Sequence, residues 1–228
     1  MKNTKLDGRL FSASKFVRQG AIFADVGTDH AYLPLFLLKE GRIERAVCSD
    51  INEGPLNSAR ENAREAGFFE NISFYLTDGA RELSALGITD MAICGMGGEL
   101  IASIIDNAPY LKDKSVNLIL QPMSRQEHLR AYLYSHGFEV IDEAYSEDSG
   151  KFYVTLLASF VGKERTLSEE EAIFSTLLHK DKLTDSEKGY LKKKSEALKK
   201  VMLGKKLSGK DSSEDEKIIK IAEELLTK

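Results

Sequence analysis

Five short runs carry the residue types that do chemistry. Asp25-Val26-Gly27-Thr28-Asp29-His30 follows one apolar stretch, Asp50 closes a second, Thr77-Asp78-Gly79 a third, Gly95-Met96-Gly97-Gly98 a fourth, and Gln121-Pro122 with Arg125 a fifth. A carboxylate at a strand end can accept hydrogen bonds from the hydroxyls of a ribose, and a glycine there lets backbone approach a ligand closely. Asp25, Gly27, Asp50, Asp78, Gly79 and Gly95 are therefore candidate ligands of a nucleoside cofactor, with Asp78 placed to reach the edge of its base.

The same runs narrow which nucleoside. A dinucleotide site needs Gly-x-Gly-x-x-Gly, which seats a pyrophosphate on a helix N-terminus, and a P-loop needs Gly-Lys-Ser/Thr. After Gly27 this chain has Thr28, Asp29 and His30 instead. An acid at that point repels phosphate and suits a cationic sulfonium, which points to S-adenosylmethionine. Asp29 and His30 become the candidate catalytic pair, against the plainer reading that Asp29 caps the next helix. Met96, Gly97, Gly98, Pro122 and Arg125 fall on the substrate side of the rim, although three glycines in four residues could also make only a tight turn. No metal site is expected: none of His30, His128, His136 and His179 stands at ligand spacing from another beside an acid or cysteine.

The elements that must position these residues follow from periodicity. From residue 20 to about 125, short apolar runs alternate with amphipathic helical stretches, the signature of crossover units and a parallel sheet. The first strand is expected at Ala21–Asp25. Phe138–Ile141 and Phe152–Leu157 are joined by a polar loop without a helix and should pair as an antiparallel hairpin at the sheet edge. Residues 1–19 read as a helical lead-in, with Phe11, Phe16 and Val17 available for packing. Past Phe160 the texture changes to helical spacing over Leu167–Leu178, Glu187–Leu203 and Ser213–Leu226. The chain thus divides into a cofactor-binding catalytic domain, residues 1–160, and a helical domain, residues 161–228.

Charge follows the same division. The net charge is −4, but residues 161–228 hold 16 Lys+Arg against 14 Asp+Glu, and Lys180 to Lys210 contains 11 lysines and 4 acids. Lys192-Lys193-Lys194, Lys199-Lys200 and Lys205-Lys206 read as clusters without balancing acids, with Lys192, Lys193, Lys199 and Lys200 as the candidate RNA contacts. Aromatics are sparse, which suits backbone contact with structured RNA better than stacking on single strands. The rival reading is a solvated helix face. Cys48 and Cys94 sit inside apolar runs and no stretch of 18 apolar residues occurs, so a reducing, cytoplasmic setting without membrane contact is expected. A monomer is the working expectation.

With Asp25-Val26-Gly27-Thr28-Asp29-His30-Ala31-Tyr32-Leu33-Pro34, Cys94-Gly95-Met96-Gly97-Gly98-Glu99 and the lysine-rich tail, the chain resembles the TrmK family of bacterial tRNA methyltransferases that act on N1 of adenine 22. That resemblance implies an α/β fold: a Rossmann-like class I methyltransferase domain with a C-terminal, coiled-coil-like helical domain. It further implies S-adenosyl-L-methionine as donor, tRNA as partner, and Arg9 as a substrate contact. The alternatives are a methyltransferase of another RNA or of a small molecule, and a noncatalytic RNA-binding adaptor on the same fold. The strand-four loop lacks the Asp/Asn-Pro-Pro-aromatic sequence of enzymes that methylate exocyclic amines, which favours a ring nitrogen as acceptor.

Overall fold

Buried apolar segments too short for helices account for the sheet. In the computed structural model, which describes residues 6–228, helix α1 (Gly8–Ser14) precedes strand β1 (Phe23–Val26), whose four residues are all buried. Alternation then gives α2 (Tyr32–Lys39), β2 (Ala46–Asp50), α3 (Glu53–Ala66), β3 (Ile72–Leu76), β4 (Asp90–Gly97), α4 (Gly98–Asp106), β5 (Asn117–Ser124) and α5 (Gln126–Ser135). The hairpin β6 (Phe138–Asp148) and β7 (Lys151–Phe160) follows. Its two strands are antiparallel, and β7 also pairs antiparallel with β5, while β1–β5 pair with one another in parallel. Strand order is β3-β2-β1-β4-β5-β7-β6, so β7 lies inside the sheet and β6 forms the edge. Covering helices on both faces explain why β1 is buried throughout and its burial does not alternate.

The first strand begins two residues later than the pattern suggests. The Ile22 N–H donates to the Thr89 hydroxyl at 3.0 Å, and regular pairing starts only at Phe23. In the lead-in, Val17 is buried and Phe16 packs on the core, but Phe11 is 46% exposed. The first five residues of that segment lie outside the described region.

Beyond Phe160 the helices are α6 (Glu169–Phe174), α7 (Asp185–Leu207) and α8 (Ser213–Leu226). The helix expected over Leu167–Leu178 stops at Phe174, because Ser175 turns to a positive φ of 45° and a 3-10 segment, Ser175–His179, follows. Helix α7 runs longer than its apolar spacing implied: a capping box of Thr184 and Glu187 starts it at Asp185. Helices α7 and α8 are antiparallel, with Lys199 on Glu223 and both Lys205 on Asp215 and Lys206 on Glu216, each at 2.6 Å.

These helices do not stand clear of the sheet. Leu177, Leu191 and Ile218 bury into the same apolar cluster as Val154 and Leu156 of β7. A Cβ at Gly189 of α7 would overlap the Phe152 ring of β7, so helix and hairpin pack in direct contact. Among the described residues, no helix is long and apolar enough to cross a membrane.

Candidate active site

The parallel register carries the singled-out acids to one end of the sheet. Asp25 is the penultimate residue of β1, Asp50 the last of β2, and Asp78 lies two past the end of β3. The loop after β1 is fixed by backbone: Gly27 and Thr28 N–H both donate to the Ser49 carbonyl, at 2.8 and 2.9 Å. Gly27 sits at φ 76°, a conformation costly for any residue with a Cβ, and a Cβ there would also run into the Met96 methyl. Met96 from β4 therefore roofs the glycine that sequence reasoning assigned to the cofactor.

Asp25 is the most perturbed acid of this rim. It is 8% exposed and accepts a 2.6 Å hydrogen bond from the Thr28 hydroxyl. Burial pushes its pKa from an ordinary 3.8 up to about 6, against the opposing pull of Thr28 and Arg9, and the Asp50 charge adds to the rise. The folded state thus binds a proton more tightly than the unfolded chain between those two values. The resulting penalty is absent below about pH 4, grows to pH 6 and is complete above it, on the order of 3 kcal/mol. Asp25→Asn keeps an acceptor for Thr28, so its melting temperature is expected to rise above wild type at pH 7.5 and to match it at pH 4. Thermal unfolding at both pH values checks this, and an equal shift at the two would refute the assignment to charge burial.

Arg9 joins the rim from far away in sequence. Its guanidinium donates to Gln121 Oε1 at 3.0 Å and pairs with Asp7 at 3.1 Å, while the Gly95 N–H donates to the same Gln121 oxygen at 3.0 Å. Gln121 is wholly buried, so its amide is a post that fixes both Arg9 and the bend at Gly95. Sequence reasoning placed Gln121 at the rim but gave it no such role, since its two partners lie 112 and 26 positions away. Burial pushes the Cys94 thiol up, and Asp25 raises it further, which leaves this cysteine a packing residue.

At the ends of β4 and β5, Met96 stands opposite Pro122 and Gly97 opposite Ser124 in the ladder. Gly98 lets the two loops touch, for a Cβ there would overlap the Arg125 carbonyl oxygen. Arg125 begins α5 at a positive φ of 57°, and its side chain faces Glu99 at 3.7 Å. Asp78 and Gly79 line a hollow with Leu100, Ile104 and Asn107.

Asp29 and His30 lie together, Oδ2 to Nε2 at 3.4 Å, with His30 stacked on Tyr32 at 5.0 Å. Neither caps α2. The residue at that position is Ala31, in the left-handed region, and no side chain caps the helix.

The four tail lysines are not gathered with the rim residues; all lie on α7. Nor is the tail free of balancing acids, as its sequence suggested: Lys199 faces Glu223 of α8, and Lys193 faces Glu196 at 3.5 Å. Glu223 comes from a neighbouring helix, which counting along one segment does not reveal, whereas Glu196 stands one turn on in the same segment. Lys192 and Lys200 have no acid partner among the described residues.

The donor set suits a nucleoside bearing hydroxyls and a positive centre: carboxylates at the ends of three adjacent strands and one glycine held under Met96. Among the described residues no cluster of His, Cys, Asp or Glu could hold a metal ion. Strand-end acids on this sheet order define a Rossmann-like methyltransferase domain, and the family described as "Methyltransferase domain" matches residues 6–156. The tRNA (adenine(22)-N(1))-methyltransferase of Bacillus subtilis is 34% identical over 158 residues, 69% of this chain. The match spans 66%, about two thirds, of that relative's length. A Streptococcus pneumoniae candidate tRNA (m1A22) methyltransferase is 33% identical, with a TM-score of 0.84 over 97% of this chain and 100% of that one. The same protein in complex with S-adenosyl-L-methionine gives 31% and 0.83, over 97% and 100% of the two chains. This chain belongs to the TrmK family.

Proposed function

We propose that the protein transfers the methyl group of S-adenosyl-L-methionine to N1 of an adenine in tRNA, at position 22. The observation that carries this reading is the row of carboxylates Asp25, Asp50 and Asp78 along one end of the sheet, with Asp29 where a phosphate-binding loop would have glycine. The names of the relatives supply the base and its position.

When bound, the cofactor supplies an electrophilic methyl group on a sulfonium. Asp50 would accept from the ribose hydroxyls, and the hollow beside Asp78 and Gly79 would take the adenine ring. Gly27, under Met96, gives the methionine part a backbone surface. N1 of adenine carries an in-plane lone pair and loses no proton before attack, so the protein's task is placement and accommodation of the positive charge that arrives on the ring. Met96, Gly97, Gly98 and Pro122 would wall the base, Arg9 and Arg125 would contact the substrate, and Asp29, beside His30, would face the developing charge. Residues 161–228 would hold the tRNA through Lys192, Lys193, Lys199 and Lys200 of α7, with residues 1–160 carrying the cofactor and the reacting base.

Asp50 offers a test of the cofactor assignment. One of its oxygens, Oδ1, already accepts the Asn52 N–H at 2.7 Å, which leaves chiefly the other for ribose. Asp50→Ala is therefore expected at the low end of a charged hydrogen bond, about 1.5 kcal/mol or roughly tenfold in affinity by calorimetry. Unchanged affinity would remove Asp50 from the site. For the reaction itself, unmodified tRNA and a variant with guanine at position 22 are incubated with labelled cofactor, and the methylated nucleotide is mapped. Label on N1 of adenine 22 alone is expected. Label elsewhere, or equal label in the variant, rules out the position.

A further inference from the structure

Helix α5 starts at the Pro122–Arg125 rim and buries Leu129, Arg130 and Leu133, and the tail grips it twice. Arg130 and Glu143 of β6 form a wholly buried pair, Nε to Oε1 at 2.7 Å. The same guanidinium donates through Nη1 to the carbonyls of Ala172 and Ile173, at 2.9 and 3.2 Å, in the last turn of α6. Glu143 Oε2 in turn accepts from the Tyr145 hydroxyl at 2.7 Å and the Thr176 hydroxyl at 2.8 Å, and the Tyr145 ring meets Tyr190 of α7 edge-on at 4.9 Å. One turn nearer the rim, Lys194 of α7 pairs with Glu127 at 2.9 Å.

These contacts reach the rim through stiff parts. The Leu129 N–H donates to the Arg125 carbonyl, whose oxygen lies against Gly98, and the Gln126 amide reaches the Pro122 carbonyl at 3.5 Å. Moving the start of α5 therefore moves the loop from Pro122 to Arg125.

A buried pair is a weak source of stability, since well-packed apolar residues of the same size often serve as well or better. Stability alone therefore does not account for an arginine spanning three elements. We propose that Arg130 and Lys194 are positioning residues: through α5 they make the tail helices a brace for the Pro122–Arg125 loop. The tail then acts on the chemical step as well as on tRNA retention, and Lys194 serves as part of the brace and not as a phosphate contact. This rests on the methyltransferase reading above.

The test uses the full chain. In Arg130→Lys the charge stays beside Glu143, but an ammonium cannot span Glu143 and both α6 carbonyls as the planar fork does. Arg130→Met with Glu143→Leu removes the pair without leaving an orphan charge. For both, kcat is expected to fall tenfold or more, with KM for tRNA within about threefold and cofactor affinity within about twofold. Amide exchange over Gln126–Leu129 should speed up in the free protein. Glu127→Lys and Lys194→Glu should each lower kcat severalfold, and the charge-swapped double variant should recover it to within about twofold.

Wild-type kcat in a folded Arg130 variant would overturn the brace, as would a rise in KM alone. If neither Arg130 variant folds, the charge-swap series decides: loss of tRNA affinity in Lys194→Glu without rescue would make Lys194 a phosphate contact. A wild-type protein that methylates no tRNA would sink the functional reading instead. Amide exchange then still judges the brace, which unchanged rates in Arg130→Lys or in the single charge-swap variants would refute.

Discussion

At saturating cofactor and tRNA, Asp29→Ala is expected to turn over roughly a hundredfold more slowly than wild type, with a much smaller change in cofactor affinity. Thr28 is pinned by Asp25 and the Ser49 carbonyl, which fixes where the next residue projects. The competing role for Asp29, capping α2, is absent from the structure, because the helix starts at a left-handed Ala31 without a side-chain cap. Among the described residues its only ion-pair or hydrogen-bond partner is His30, at 3.4 Å. Nothing in the fold needs this carboxylate, so its removal should leave the melting temperature nearly unchanged. The measurement is single-turnover methyl transfer beside calorimetry for the cofactor. A turnover number near wild type would strip Asp29 of its electrostatic role, and equal losses in both would make it a binding residue.

Neutralising Lys192, Lys193, Lys199 and Lys200 together is expected to reduce the salt slope of tRNA affinity by about 3–4 units, near one per phosphate contact. The ion pairs to Glu196 and Glu223 do not remove Lys193 and Lys199 from this count. Their side chains are 63% and 48% exposed, and pairs so open to water are worth little and exchange readily for a phosphate. Affinity is followed across a salt series for wild type and the quadruple variant, with cofactor affinity as the control. Parallel lines of equal height would make these lysines a solvated face and return the RNA site to the strand-end rim.

Periodicity exposed the sheet because burial on both faces leaves strands without polar alternation, as in Phe23–Val26, where Asp25 beside the strand's end is the one polar residue, and such acids then stand out. The row of Asp25, Asp50 and Asp78 was legible for that reason, and so was the hairpin, whose polar loop leaves no room for a crossover. Gln121 stayed illegible in its role because an amide reveals its partners only when a sheet brings Arg9 and Gly95 to it. The tail misled in two ways. Charge balance on α7 comes from α8, folded back along it, and the apolar residues of its helices face the sheet as much as one another. Neither fact has a local signature, since both depend on which surfaces meet.

The place of β7 inside the sheet sets an order of assembly. As the chain is synthesised, β1 to β5 can form with the loops that carry Asp25, Asp50 and Asp78, but the outer edge of β5 stays open until residues 151–160 emerge. Strand β6 has no place of its own before then: it joins as half of a hairpin whose other half fills the gap, and short-range pairing makes that a quick step. Only afterwards is there a surface on which α7 can lie. On the function proposed above, a growing chain would complete its nucleoside-binding loops before its lysine-bearing helix is seated, and the newly made protein would be ready for a small cofactor before it could retain an RNA.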